Sequence, residues 1–323
     1  MNRLSKKNAI SRTAVALLAV MLCICGLSCG GTAAVPDSAD AVVFTDALGR
    51  EVCVRGEPQR TASLLGSFAD VWLLAGGEIC AAAEDAWEDF GFTSEDAVCI
   101  GGAHSPNTEL LLSAEPDFVL ASAATASHVE LCGLLEAAGI TVAYFDVECF
   151  DDYLAMLEVC TEITGRADLY EQNGLRIRDE IDAVRQRYAE AVPDAADRGV
   201  LLLRASSTTV KAKGSDGTVL GEMLADLGCI NIADSDTGLL ENLSAEAVIA
   251  DEPRHIFIAA MGSDTGAAMR SVDALIASHP AWNTLDAVQS GRMHIMDRRL
   301  FHLKPNARWA EAYQTLYETL VGE

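Results

Sequence analysis

Basic side chains are few in this chain and fall in groups, and the grouping is its first chemical signal. Lys and Arg number 23 against 48 Asp and Glu, and Arg3, Lys6, Lys7 and Arg12 all lie near the start. Of the rest, Arg204, Lys211 and Lys213 follow one apolar run, while Arg298, Arg299, Lys304 and Arg308 follow another. Guanidinium forks and ammonium groups pair with carboxylate or phosphate oxygens, so a cationic rim in a strongly acidic chain points to an anionic ligand. Phe68, Trp87 and Phe301 add faces that could stack on a flat molecule. His104 and His302 could ligate a metal held by that molecule, Met261 offers a thioether and Asn107 an amide. No GxSxG, HExxH, Walker A or strand-linked GxGxxG pattern accompanies them, so the chemistry indicated is binding rather than catalysis. Cys53, Cys80, Cys99, Cys132, Cys149, Cys160 and Cys229 form no CxxC pair and no metal spacing with His; they read as buried thiols.

The elements that position these residues alternate. Short apolar runs at Thr61 to Gly66, Ile79 to Ala83, Val98 to Gly101, Asp117 to Ser122 and Thr141 to Phe145 are separated by helical patterns, which argues for a parallel sheet covered on both faces. The same rhythm resumes at Gly199 to Leu203 and ends in a helix over Asn306 to Leu320. Between the two series lies DLYEQNGLRIRDEIDAVRQRYAEAV, Asp168 to Val192, with apolar residues at Ile177, Ile181, Val184, Tyr188 and Val192 on one face. Asp168 and Glu171 have the spacing of a capping box, and Pro193 closes the pattern. At 1.5 Å per residue such a helix would run about 37 Å, long enough to join two bodies.

An internal echo supports two bodies. ELLLSAEPDFVLAS, from Glu109, and EAVIADEPRHIFIAA, from Glu246, superpose without a gap. In each, Glu is followed seven positions later by Pro and then by an apolar strand ending in Ala. Leu135 to Asp146 and Leu285 to Asp297 repeat the order helix, Gly, strand, Asp. Two copies of one α/β unit account for both echoes. The fold class expected is α/β, two Rossmann-like lobes with mostly parallel sheets joined by one long interdomain helix. The expected segments are a signal peptide at 1–28, a tether at 29–41, an N-terminal lobe at 42–166, the linking helix at 167–193 and a C-terminal lobe at 194–323. Ligands of open parallel sheets bind beyond the carboxyl ends of the strands. That rule puts Phe68, Trp87, His104 and Asn107 on one wall of a cleft and Arg204, Lys211, Met261, Phe301, His302 and Lys304 on the other.

With 323 residues, 50% hydrophobic, the chain can build two compact units, and a formal charge of -25 argues against nucleic acid as a partner. The basic start is followed by an apolar run from Ala14 to Ser28 that is short for a bilayer span and reads as an export signal. Cys29, behind Leu27 and Ser28 and ahead of Gly30, resembles the acylated cysteine of a bacterial lipobox, although Gly26 stands where that pattern has Leu.

Four stretches carry a wider resemblance: FTDALGREVCV (Phe44 to Val54), PQRTASLLGSFADVWLLAGG (Pro58 to Gly77), NTELLLSAEPDFVL (Asn107 to Leu120) and SAEAVIADEPRHIF (Ser244 to Phe257). In order and spacing the chain resembles the solute-binding proteins of ABC importers for iron-siderophores, haem and cobalamin. The resemblance implies two lobes on a rigid helix with ligand in the cleft between them, and no enzyme activity. It also implies one Glu on each lobe, here Glu109 and Glu246, engaging arginines of the membrane permease. The expectation is a monomeric lipoprotein on the cell surface or in the periplasm, with no intrinsic cofactor, delivering a ferric siderophore to a permease and its ATPase. Haem or cobalamin are alternative ligands. A binding protein for bare zinc or manganese, which calls for several His and carboxylates converging, and a sensory surface lipoprotein are the readings from other classes.

Overall fold

The computed structural model describes residues 41–241, 243–262 and 264–322; the expected signal peptide, Cys29 and most of the tether lie outside the described residues. The first element is a hairpin that the βα rhythm does not contain, β1 (Ala41–Thr45) antiparallel to β2 (Glu51–Arg55). Asp46 shapes its turn by accepting from the amides of Leu48 and Arg50, each at 3.0 Å.

Five parallel strands follow: β3 (Thr61–Ser63), β4 (Ile79–Ala82), β5 (Val98–Cys99), β6 (Phe118–Ser122) and β7 (Thr141–Phe145). They stand in the order β5-β4-β3-β6-β7, so the chain grows outward from β3 in one direction and then returns to grow in the other. A second, separate sheet holds β8 (Gly199–Ala205), β9 (Val210–Lys213), β10 (Ile230–Asn231), β11 (His255–Ala260) and β12 (Met293–Met296). Its path is β10-β8-β11-β12, parallel throughout, with β9 antiparallel on β8. Both sheets are buried on two faces, which is why their strands read as continuous apolar runs. In β8, Leu201, Leu203 and Ala205 face one buried cluster, while Val200 and Leu202 face another. The second of these clusters is continuous with the inner face of the first sheet, through Phe118, Leu120, Ala143 and Phe145.

Where the sequence reads one α-helix from Asp168 to Val192, the chain forms three consecutive helical segments: Ala167–Tyr170, a π-helical turn Glu171–Leu175, and Arg176–Ala191. The capping box is not made, because Asp168 pairs with Arg166 through two contacts of 2.8 Å. The π turn has a local cause. Tyr153 Oη donates to the Asn173 carbonyl at 2.8 Å and competes for it with the helical ladder. Gly174 meanwhile lies so close to helix Phe150–Thr164 that a Cβ there would stand 2.8 Å from Leu154 Cδ1. Ile177, Ile181, Val184 and Tyr188 are buried as their spacing requires.

The internal echo is structural. Helices Thr108–Ser113 and Ala245–Asp251 are capped by Asn107 and Ser244, and both lead into the central strands β6 and β11. Glu115 and Glu252, at matching positions ahead of the two prolines, adopt the left-handed region at φ 49° and 41°. Gly139 and Gly291 match in the same way, at 78° and 70° ahead of β7 and β12. Non-glycine residues enter this region at a cost, so its recurrence at aligned positions is not a coincidence of amphipathic patterns. All seven described cysteines are free thiols, but only Cys160 and Cys229 are buried; Cys99 is exposed and the others are half-buried.

Gly66 opens helix Gly66–Leu74 against the next loop, and a Cβ there would fall 2.6 Å from the backbone of Asp85. Gly66→Ala therefore has to separate two main-chain segments and should cost about 2–3 kcal/mol, read as a fall in denaturation midpoint in urea.

Candidate functional site

The first sheet reverses its direction of growth between β3 and β6 and the second between β8 and β11, so the carboxyl ends of those strands are where a ligand would meet the chain. On the second sheet this point holds Arg204 and Met261. Arg204 ends the inner face of β8, and Met261 lies just past β11, its amide donating to the Ala205 carbonyl at 2.7 Å. Met261 is 40% exposed. Lys211 sits opposite Arg204 in the β8–β9 register and is exposed, and Lys213 sits opposite Leu202.

Arg204 is half-buried, and among the described residues it has neither a hydrogen-bond partner nor a counter-ion. Burial alone acts on it, lowering its pKa from the usual arginine value. It lines a narrow crevice with Leu202, Lys213, Thr218, Phe301 and His302. His302 is pushed down to about 4, first by burial and then by the neighbouring charges of Arg204, Arg298 and Lys304. At neutral pH it is an uncharged imidazole. Lys304 is held below its usual value by burial, against the opposing pull of Asp146 and Glu148 at the carboxyl end of β7. These carboxylates belong to the first half of the chain, so Lys304 feels charges from both halves, whereas the crevice itself is lined by second-half residues alone. Glu148 itself is raised by burial and by Asp146 and Glu222.

The rest of the expected cationic rim is occupied. Arg298 makes a two-pronged ion pair with Asp89, with Nη2 to Oδ2 at 3.0 Å. Arg299 donates to the Asp89 carbonyl at 3.0 Å and to the Lys304 carbonyl at 2.6 Å, its guanidinium lying 4.0 Å from the centre of the Phe90 ring. Arg308 pairs with Glu311. Asn306, fully buried at φ 54°, donates to the Ser67 carbonyl at 2.9 Å and to Asp70 at 2.7 Å. The segment 298–306 is thus a latch onto the first half, and Arg298 and Arg299 hold protein rather than face an open site.

Two aromatic expectations fail for one reason, burial. Phe68 is 1% exposed, edge-on to Phe145 in the core, because the helix it opens packs that face onto the sheet. Phe301 is 2% exposed and forms the floor of the crevice rather than a stacking face. Trp87 is half-buried, packed on Phe92 with its indole Nε1 donating to the Ser94 carbonyl at 3.4 Å. It borders a separate groove of about 600 Å³ with Glu84, Glu88 and Glu95. His104 is exposed in the turn after β5. Asn107 spends its carbonyl oxygen capping the following helix, accepting from the amides of Glu109 at 3.0 Å and Leu110 at 3.1 Å. The structure therefore brings together Arg204, Phe301 and His302, with Lys304 close enough to act on His302 and Met261 just past β11; it leaves Trp87 in helix Asp85–Glu88 and His104 and Asn107 together on the loop after β5. Asp146 follows β7, where the strand-end rule looks for site residues, but Asp89 and Glu148 escape the sequence reading, since nothing in an acidic chain distinguishes one loop carboxylate from another. Glu109 and Glu246 are both exposed, in the first turns of the two repeat-related helices.

A depressed histidine fixes the sign of a pH effect. The folded chain keeps His302 neutral down to about 4 while the unfolded chain takes up a proton near the ordinary 6.5, so this residue's contribution to stability is lost as pH falls across that window. His302→Gln should flatten the decline in denaturation midpoint between those pH values; an unchanged slope would mean that His302 is not held neutral.

The comparisons with known proteins agree with this fold. The family model described as periplasmic binding protein matches residues 66–300. Among solved structures, Staphylococcus aureus SirA complexed with staphyloferrin B superposes with a TM-score of 0.67 at 19% identity, covering 86% of this chain and 98% of that one. The periplasmic heme-binding protein RhuT from Roseiflexus sp. RS-1 gives 0.64 at 23%, covering 82% and 98%. The vitamin B12 binding protein BtuF of Vibrio cholerae gives 0.61 at 18%, covering 81% and 96%. No curated protein matches the sequence. Among the described residues no helix is long and apolar enough to cross a membrane. With the model match spanning most of the chain and strands of both sheets, the chain belongs to the periplasmic binding protein family, extracytoplasmic solute-binding proteins rather than enzymes.

Proposed function

We propose that this protein is the lipid-anchored receptor of an ABC importer, capturing an anionic metal chelate between its two halves, with a ferric siderophore as the leading ligand. The observation that carries this reading is Arg204, a half-buried guanidinium with no partner among the described residues, at the point where the second sheet changes direction. An uncompensated buried cation is costly, and a ligand carboxylate or phenolate would supply the missing charge. The neutral His302 lines the crevice beside it, Lys304 acts on His302, Met261 lies just past the neighbouring strand β11, and the similarity to receptors of staphyloferrin B, heme and vitamin B12 fits a ligand of this class. The six histidines are dispersed, with His255 and His294 paired 3.0 Å apart at the amino ends of β11 and β12 and His128 internal, which disfavours bare zinc or manganese.

In this reading the N-terminal lobe is 42–166, the linking segment 167–193 and the C-terminal lobe 194–323. Cys29, beyond the described residues, carries the lipid, and residues 29–41 form the tether. The receptor works as a monomer at the outer face of the membrane. Glu109 and Glu246, related by the internal repeat, meet the two halves of the permease as a pseudo-symmetric pair. Lys211, Trp87, His104 and Asn107 would reach the ligand only from the margins of the cleft.

Absorption titrations with a ferric siderophore, haem and cobalamin identify the ligand by charge-transfer, Soret or corrin bands. Arg204→Ala should weaken binding of the responding ligand at least about tenfold, the worth of one charge-assisted hydrogen bond. Thermal stability should stay equal or rise, because an unpaired buried charge is removed; unchanged affinity would take Arg204 out of the site. Glu109→Ala combined with Glu246→Ala should abolish uptake through the permease while leaving that titration unaltered, and normal uptake would refute the docking role.

A further inference from the structure

His128 takes no part in the site as proposed, yet it is the most constrained histidine in the molecule. It lies in helix Ala126–Glu130 with no exposed surface, and both ring nitrogens are used. The Ser122 amide donates to Nδ1 at 3.2 Å, and Nε2 stands 2.6 Å from the Ala103 carbonyl. Because Ser122 contributes an N–H, Nδ1 must be the bare acceptor; because Ala103 contributes a carbonyl, Nε2 must carry the proton. The neighbours thus fix one neutral tautomer. Ser122 is the last residue of β6, beside the point where the first sheet reverses, and Ala103 belongs to the loop after β5 that carries His104 and Asn107 and leads into the helix of Glu109.

The ring is held from behind as well. Tyr144 Oη donates to the His128 carbonyl at 2.7 Å. The Arg50 guanidinium lies 4.8 Å from the centre of the Tyr144 ring, and Arg50 is itself fixed by Asp46 and by the Val142 carbonyl. The N-terminal hairpin therefore braces the strand and helix that present His128. The one titratable side chain acting on the imidazole is His104, across the loop.

We propose that His128 is the positioning residue of the first-half wall, its single neutral tautomer pinning the loop 101–107 to the carboxyl end of β6. A proton added at Nδ1 would face the Ser122 N–H, donor against donor, so the tie is incompatible with the imidazolium and the loop is released when the ring is charged. Burial, which lowers the His128 pKa from its ordinary value, keeps the clamp closed at neutral pH and confines its loss to acid conditions. The inference leans on the receptor reading only for what the wall contacts; the clamp itself concerns the protein alone.

The test reads the loop directly. Two of its amides are hydrogen-bonded, Ser105 to the Gly102 carbonyl at 2.9 Å and Asn107 to the Ile100 carbonyl at 2.6 Å, and their hydrogen-exchange protection reports whether the loop is held. After correction for the intrinsic exchange rate, protection of these two amides in the native sequence should fall at least about tenfold between about pH 7.5 and about pH 5, the loss of one ordinary hydrogen bond, while amides of β7 stay protected. His128→Leu should show the low protection already at the higher pH and no pH dependence. His128→Asn, which can still accept from Ser122 but cannot reach Ala103, should be unprotected at both. Native-like protection in His128→Leu at both pH values would overturn the proposal. Should that variant fail to fold, a pH-independent profile of Ser105 and Asn107 in the native sequence overturns it equally. Ligand enters none of these measurements, so a failed clamp and a failed receptor reading are told apart.

Discussion

One apolar stripe organises the molecule. Ile177, Ile181, Val184 and Tyr188 on helix Arg176–Ala191 share a buried cluster with Leu154 and Leu157 from the first half and with Leu220, Met223, Leu316 and Leu320 from the second. Because the inner faces of both sheets drain into the same cluster, the halves cannot separate without exposing core from each. Fully exposing even one such side chain costs about 1.5–3 kcal/mol, so wide opening is opposed by several residues at once. The π turn at Glu171–Leu175 places its irregularity where Gly174 presses on helix Phe150–Thr164, and so fixes where the stripe begins.

Polar contacts act in the same direction. Arg298 with Asp89 and Asn306 with Ser67 and Asp70 tie the segment beyond β12 to the first half, at the end of helix Asp85–Glu88 and on helix Gly66–Leu74 respectively. These groups are largely shielded from water, so removing one partner would strand the other. The latch occupies Arg298 and Arg299, while Arg204 and Lys213 in the crevice have no ion-pair partner among the described residues. A receptor of the proposed kind would therefore close by a small rotation about a stiff core, not by the wide swing of paired flexible strands, and its ligand would meet surfaces already arranged, which lowers the entropy lost on binding.

Duplication explains how such a cleft arises. Each half contributes a capped helix, a left-handed Glu before proline, and a central strand. The copies diverged in charge: carboxylates at Asp85, Asp89, Asp146 and Glu148 gather on the first, and Arg204, Lys213 and Lys304 on the second.

The sequence by itself determined the alternation of strands and helices, the buried stripe and the repeat, because these rest on local periodicity and on residues such as proline and glycine whose backbone preferences travel with them. It also placed Arg204, Met261, His302 and Lys304 at strand ends, since chain order alone locates those ends. Only the tertiary structure decided which charges are satisfied: Arg298 and Arg299 belong to the same expected cationic rim as Arg204 until Asp89 and Phe90, some two hundred residues away in the chain, are seen to hold them. The burial of Phe68 and Phe301, the π turn and the clamp of His128 between Ser122 and Ala103 escaped for the same reason. Each depends on a partner distant in sequence, and solvation and hydrogen bonding are properties of neighbours in space.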